Sequence, residues 1–337
     1  MKRTVPQVIS LVAIVAGVIL FVVTMLGIDR TETLSEVRRI GVLLPVVLLP
    51  SIGWHLLRAA GWYICFPAEE RPSYWRVFRV RLSADGVGYF TIRGVASEPL
   101  RVVLLLGHVS PVVSAAASVL ERTAMGIMSV VGVGIFAAFA VASNLLPPGW
   151  EDLFRGIAIT AAVVLMVSFL FLVRKGNYFG PMIESIHRRT GWRWAGGRTV
   201  RAITAVEDLF LKLARTDRRR IGTLILLSMA CYWLMALEVV VVFWAIGEPI
   251  SLWLGTIVET FARAASVPGG AIPGNLGALE ASNVAVVKAL GLAGGGALAL
   301  FRRFRSLVFA TLGLALYPRD AVTAAPTRRP APTDRAS

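Results

Sequence analysis

Thr123 to Leu146 reads TAMGIMSVVGVGIFAAFAVASNLL, 24 residues without an ionisable side chain. At 1.5 Å per residue a helix of that length extends about 36 Å, enough to cross the roughly 30 Å hydrocarbon core of a bilayer. Glu121 and Arg122 stand just before the run, and Pro147-Pro148 end it. Working outward, further apolar runs appear at Val8–Ile28, Ile40–Phe66, Gly156–Val173 and Ile221–Gly247, with interrupted ones at Ile250–Val267 and Gly294–Tyr317. Of the 337 residues 56% are hydrophobic and 16% charged, with a mean hydropathy of +0.70. An ordinary soluble domain is about 25% charged. These numbers exclude a soluble globule and predict an all-α, polytopic membrane helix bundle.

The formal charge is +15, from 35 basic against 20 acidic residues. In a soluble protein that would point to nucleic acid, but here the charge is confined. Residues 174–220 hold twelve basic and four acidic groups, and smaller surpluses lie at 1–7, 67–83 and 318–337. Placing all four stretches in the cytoplasm satisfies the positive-inside rule and leaves 29–39, 147–155 and 247–252 outside. No nucleic-acid partner is expected. The predicted organisation is one integral membrane domain, 1–317, with a basic cytoplasmic loop at 174–220 and a disordered cytoplasmic tail at 318–337. Both termini would lie in the cytoplasm and the location would be the inner, plasma membrane. Six spans with re-entrant elements or eight spans both fit, because Ile250–Leu290 either crosses twice or re-enters.

Several segments are not plain spans. Val8–Ile28 follows Lys2 and Arg3 but is too long for a signal-peptide core, so it reads as an uncleaved first span. Ile40–Phe66 contains Pro45, Pro50, His55 and Arg58 and should be kinked. Tyr74–Leu82 interleaves Arg76, Arg79 and Arg81 with Trp75, Phe78 and Val80, as a basic interfacial segment does. Val200, Ile203, Val206, Phe210 and Leu213 form one apolar stripe, which fits either a helix on the inner leaflet or a solvated loop helix.

Two stretches are broken by glycine and proline within apolar surroundings: DGVGYFTIRGVASEPLR at Asp85–Arg101, and PGGAIPGNLGALE at Pro268–Glu280. Irregular backbone at membrane depth is tolerated only inside protein or beside a water-filled cavity, so re-entrant elements are the natural reading. The two also share an order. Gly94 precedes Glu98 and Arg122 comes 24 residues later; Gly277 precedes Glu280 and Arg303 comes 23 residues later. The charge-derived topology has the first entered from the cytoplasm and the second from outside. That is the pattern of an inverted repeat around a midplane binding site, with chance composition of glycine-rich helices as the alternative.

Ionisable groups in spans cost about 2.5–3.5 kcal/mol each on insertion scales and so mark partners or function. The group comprises Arg58, Asp85, Arg93, Glu98, Arg101, Glu121, Arg122, Glu238, Glu259, Arg263, Glu280, Arg302, Arg303 and Arg305. Glu121 with an arginine, and Glu259 with Arg263 four residues on, are expected to pair. Glu121, Arg122 and Glu238 read first as groups that hold helices together. Glu98, Arg101 and Glu280 adjoin the broken elements and read as functional. The arginines of 302–305 suit either a phosphate held by forked hydrogen bonds or a snorkelling role. His55 and His108 are lone residues, and Cys65 and Cys231 behave as small hydrophobes. No spacing predicts a metal site, a nucleophile or a nucleotide-binding loop, so no cofactor and no enzyme activity are expected.

At Glu98-Pro99-Leu100-Arg101, at Ser118-Val119-Leu120-Glu121-Arg122 and above all at Pro273-Gly274-Asn275-Leu276-Gly277-Ala278-Leu279-Glu280, the chain resembles the flippase-like integral membrane family. That family includes the transmembrane region of lysylphosphatidylglycerol synthase, and the resemblance runs over residues 8–317. The first element departs from the usual Gly-Gly-Glu run, with Ala96-Ser97 before Glu98. The resemblance implies a lipid translocase or lipid-binding transporter without the synthase's transferase domain, and its stand-alone relatives include hopanoid-associated members. It implies a lipid-binding or translocation cavity lined by Glu98, Arg101, Arg122, Glu280 and Arg303. Asp85, Arg93, Glu121, Glu259, Arg263, Asn275, Arg302 and Arg305 are the secondary candidates. The arginines would receive an anionic headgroup, and the carboxylates would orient a cationic group or balance the arginines. The alternatives are a partner or enzyme of a membrane-lipid pathway, and a scaffold that docks a biosynthetic protein through the basic loop. The residues do not choose the lipid, the direction of movement, the energy source or the oligomeric state.

Overall fold

A computed structural model describes residues 18–27, 30–91, 97–143, 146–173, 179–190, 197–269 and 272–318. Every regular element among them is helical. Residues 18–27 are the described part of the first apolar run; the start of that run, Ile28 and the 319–337 part of the tail lie outside the described residues. Then follow α1 (Arg30–Val42), α2 (Leu44–Cys65), α3 (Tyr74–Tyr89), α4 (Ser97–Leu104), α5 (Pro111–Ala142) and α6 (Glu151–Val173). The second part runs through α7 (Phe179–Thr190), α8 (Gly197–Thr216), α9 (Arg218–Ile246), α10 (Leu252–Gly269), α11 (Ala278–Ala289) and α12 (Gly295–Ala315). By length and composition α2, α5, α6 and α9 can each cross a membrane. The chain is thus an all-α polytopic membrane bundle.

The helix ends follow local chemistry. Ser110 caps α5 by accepting from the Val113 N–H at 3.4 Å, and Pro111 follows in the first turn, where a missing N–H costs nothing. Asp217 caps α9 by accepting from the Arg220 N–H at 3.0 Å. Gly247 ends α9 with φ +92°, a left-handed conformation that a side chain would oppose. Pro45 sits in the first turn of α2, whereas Pro50 lies inside it and removes one backbone donor from the ladder.

Helix pairs α2/α9, α5/α6 and α3/α12 form the main packing contacts, with α10, α11 and α12 joined in series. On α2 the stripe Val47, Ser51, His55, Ala59 and Trp62 is buried. On α9 the matching stripe includes Leu224, Ser228, Tyr232, Met235 and Val239. One apolar cluster gathers Val47, Val239, Phe243, Val286, Leu298 and Phe301. A second gathers Trp62, Phe66, Val80, Leu104, Leu120 and Leu224. Because α2 and α9 each join one cluster to the other, their central polar residues lie between two apolar layers. Outside, Ile159 and Phe169 of α6 are 65% and 64% exposed, as residues facing lipid would be.

Helix α3 crosses α12 at very short range. A Cβ on Gly86 would meet the Ala310 carbonyl oxygen at 2.7 Å, and one on Gly313 would collide with the Leu82 carbonyl. Ser83 Oγ donates to the Gly313 carbonyl at 2.8 Å, so a hydroxyl fastens the crossing that glycine permits. Tyr74–Leu82 begins α3, and its Val77, Val80, Arg81 and Leu82 face inward while Trp75 remains exposed. Asp85 to Tyr89 is still helix, so the first broken element is shorter than its composition implied. Its remaining part, residues 92–96 with Arg93 and Gly94, lies outside the described residues.

The second broken element is described from Ile272. Gly274, Asn275 and Gly277 have φ of +61°, +54° and +81°, and among the described residues Asn275 is the one non-glycine with positive φ. Three such conformations in four residues separate α10 from α11, which is the physical content of the Pro-Gly-x-x-Gly spacing. The stripe at Val200–Leu213 lies on α8, which packs against α5, and Leu213 enters the second apolar cluster.

Candidate functional site

Glu280 shows how the site is built from its sequence. It stands three residues into α11 from Gly277, whose N–H it accepts at 2.8 Å. The carboxylate therefore caps the helix that the broken element begins. Its other oxygen accepts from Arg303 Nε of α12 at 2.6 Å. Arg303 also donates to the Tyr89 hydroxyl at 2.7 Å and to the Gly274 carbonyl at 2.9 Å. One guanidinium thus ties α12 to the end of α3 and to the turn before α11. Glu280 is fully buried and Arg303 is 13% exposed.

The rest of this network follows helical spacing. Glu259 of α10 holds Arg263 at 2.6 Å and Arg302 at 2.6 Å. Arg302 also donates to Asn283 Oδ1 at 3.0 Å and approaches Glu238 at 3.5 Å. Glu238 accepts from Ser51 and from Arg305 in short hydrogen bonds. Arg263 adds a bond to Ser129 of α5 at 3.1 Å and lies 4.6 Å above the Tyr232 ring.

A parallel network joins α2, α3, α4 and α5. Glu121 holds Arg58 at 2.8 Å. Asp85 accepts from Arg101 at 2.9 Å and pairs with Arg81 at 3.1 Å. Glu98 pairs with Arg122 at 2.6 Å, and Arg101 stands 3.6 Å from Glu98 and 3.7 Å from Glu121. The expected pairs, Glu121 with an arginine and Glu259 with Arg263, are both present. So are the two long-range pairs, Glu98 with Arg122 and Glu280 with Arg303, on which the internal similarity turned.

A cavity of about 370 Å³ opens between the networks. From the first it is lined by Arg58, Arg81, Asp85, Arg101 and Arg122, and from the second by Glu259, Arg263, Arg302 and Arg305. Tyr89, Gly274, Asn275, Trp54 and His55 are also on the wall. Seven arginines thus face two carboxylates. Glu98, Glu121, Glu280 and Arg303, expected on the lining or beside it, are not part of it. They stand behind and hold lining residues: Glu98 holds Arg122, Glu121 holds Arg58, and Glu280 acts through Arg303 on Tyr89 and Gly274.

Arg81, Tyr89, Trp54, Ser51 and Asn283 belong to the site and were missed as site residues. Arg81 had a usable signal, since it precedes Asp85 by four residues, as Glu259 precedes Arg263. Asn283 follows Glu280 by three, as Arg101 follows Glu98. Tyr89, Trp54 and Ser51 had no such mark. His55 is packed between Trp54 and Phe309 at ring distances of 4.8 and 4.2 Å. His108 is exposed. Cys65 and Cys231 are buried free thiols, and among the described residues no His, Cys, Asp or Glu group could hold a metal ion.

A family model described as the lysylphosphatidylglycerol synthase TM region matches residues 7–314. No curated protein and no solved structure matches the chain.

Proposed function

Because the chain belongs to the lysylphosphatidylglycerol synthase TM-region family, we propose that it is a lipid translocase, or a lipid-binding transporter, for a lipid with an anionic headgroup. The observation that carries this reading is the arginine-rich cavity set between two apolar layers. Uncompensated guanidinium groups at that depth are costly, so their retention favours a site that receives a phosphate by forked, charge-assisted hydrogen bonds. Only the headgroup needs a polar path, since acyl chains can remain in the bilayer.

In this reading the carboxylates hold the arginines in position instead of meeting a cationic headgroup. The paired Glu–Arg contacts support an inverted repeat whose halves meet at the cavity, and access would alternate as one half rocks against the other. The basic stretches support cytoplasmic N- and C-termini, and the plasma membrane is the location proposed with them. The chain would act on lipid without covalent chemistry.

The test is headgroup exchange in proteoliposomes. Purified protein, a headgroup-labelled anionic lipid and a membrane-impermeant quencher should give accelerated loss of inner-leaflet signal, and Arg302→Gln should abolish it while the protein stays folded. No acceleration across several anionic headgroups would overturn the translocase reading and favour a non-catalytic partner in lipid biosynthesis.

A further inference from the structure

The charges of the two networks do not cancel. Arg58, Arg81, Arg101 and Arg122 stand against Asp85, Glu98 and Glu121 in the first. Arg263, Arg302, Arg303 and Arg305 stand against Glu238, Glu259 and Glu280 in the second. Among the described residues each network therefore carries one uncompensated positive charge, and the cavity between them carries two. Buried charge of this kind needs a counter-charge close by.

Unused donors mark where that counter-charge would sit. Arg81, Arg101 and Arg302 are 2%, 1% and 3% exposed, and all three line the cavity. Arg81 Nε and Arg101 Nε are buried without a hydrogen-bond partner, whereas Arg101 Nη1 and Arg302 Nε face carboxylate oxygens of Glu121 and Glu238 at 3.7 and 3.5 Å. Buried donors are almost always satisfied, so the Arg81 and Arg101 Nε groups, which have no acceptor beside them, point to an acceptor group that is received in the cavity. Arg122 Nε adds a further unpartnered donor on the same wall.

We infer that the cavity is built for a headgroup carrying two negative charges, a phosphomonoester; the inference deepens the lipid reading above and rests on it. A phosphodiester has one negative charge and two free oxygens, which leaves one arginine surplus and several donors unmet. A phosphomonoester above its second ionisation has two charges and three free oxygens. A headgroup with an ammonium group, including an aminoacylated one, would return positive charge to a cavity already in surplus.

The experiment uses the full chain in phosphatidylcholine nanodiscs and follows thermal stabilisation by dioctanoyl phosphatidic acid, dioctanoyl phosphatidylglycerol and inorganic phosphate at pH 5.5 and pH 8. The phosphomonoester loses its second proton near pH 6, between those two values. Phosphatidic acid should bind at least about tenfold tighter at pH 8 than at pH 5.5, and at least about tenfold tighter than phosphatidylglycerol at pH 8, with phosphatidylglycerol insensitive to pH. Arg122→Gln, which removes one surplus charge at a side chain 41% exposed, should reduce the preference to about threefold or less while melting like the parent. Equal binding of the two lipids at pH 8, or an unchanged preference in Arg122→Gln, would overturn the inference. Inorganic phosphate binding as tightly as phosphatidic acid would assign the site to a free anion and overturn the lipid source. The two readings fail separately in proteoliposomes. Equal acceleration of both lipids would sink the dianion inference and leave the translocase intact. No movement of either, with pH-dependent phosphatidic acid binding retained, would sink the translocase and support the dianion site.

Discussion

Asn283 accepts a hydrogen bond from Arg302 at 3.0 Å, three residues after Glu280 and one residue before Arg303. Arg101 faces Glu121 at 3.7 Å, three residues after Glu98 and one residue before Arg122. The same four positions thus meet in both halves, with the inner pair an ion pair in one and an amide with a guanidinium in the other. The outer pairs, Glu98 with Arg122 and Glu280 with Arg303, keep their charges. Sequence spacing and spatial pairing thus coincide at both sites.

Glu280 has two tasks, the cap on the Gly277 N–H and the ion pair with Arg303, and two substitutions separate them. Glu280→Gln keeps one acceptor oxygen for the cap but leaves Arg303 without its counter-charge, so the fold should persist at reduced stability while lipid movement falls by about tenfold or more. Glu280→Ala removes both and leaves the Arg303 charge without its partner, a loss of about 3–5 kcal/mol for a buried pair. Thermal unfolding in detergent, run beside the exchange assay, checks both. Wild-type lipid movement in Glu280→Gln would refute a part for this carboxylate in holding the cavity.

Among the described residues Tyr89 is linked to Glu280 through Arg303, so its contribution should be non-additive with Arg303. Tyr89→Phe should destabilise by about 1.5–3 kcal/mol, the range for a hydrogen bond to a charged group. In the background of Arg303→Gln the same change should cost much less, with a coupling of about 0.5–3 kcal/mol in a double-mutant cycle. Additive losses would mean that the hydroxyl acts independently of the guanidinium.

The spans were legible because hydrocarbon thickness imposes length and apolarity: α6 and α9 follow their runs within a few residues, and α5 covers most of its run but starts well before it, at Pro111. The charged residues of the site were legible for the same reason, since each is anomalous at that depth. Two things were not. Whether a charged side chain lines the cavity or stands behind it depends on rotamer and helix rotation, so Glu98 and Glu280 were read as lining when they are backing. The direction of α3 was hidden because Arg76, Arg79 and Arg81 look alike in sequence, and only the crossing with α12 turns Arg81 inward. That crossing depends on Gly86 and Gly313, which composition does not distinguish from the other glycines.

Glycines in the spans should accordingly fall into two classes. Gly313→Ala places a Cβ against the Leu82 backbone, which cannot rotate away, so α3 and α12 must separate. The expected result is loss of most folded protein, read as recovery of a monodisperse species in detergent. Gly126 in α5 has nothing within 4 Å of the added Cβ, so Gly126→Ala should be neutral or stabilising by up to about 1 kcal/mol through helix propensity. Equal tolerance of both substitutions would contradict the close α3/α12 crossing.

Arg58 and Glu121 provide the sharpest test of whether the ion pairs stabilise the bundle or serve the cavity. Glu121 is fully buried and Arg58 is 15% exposed, and the pair joins α2 to α5. Arg58→Met alone leaves Glu121 with Arg101 at 3.7 Å as its remaining counter-charge and should cost about 3–5 kcal/mol. Adding Glu121→Gln should recover most of that loss, because removing both charges also removes their desolvation penalty. If the pair is only structural, the double variant should move lipid as well as the parent. If Arg58 receives the headgroup, as its place on the cavity wall indicates, stability returns in the double variant and lipid movement does not. Thermal unfolding and headgroup exchange on the same three samples decide between these outcomes.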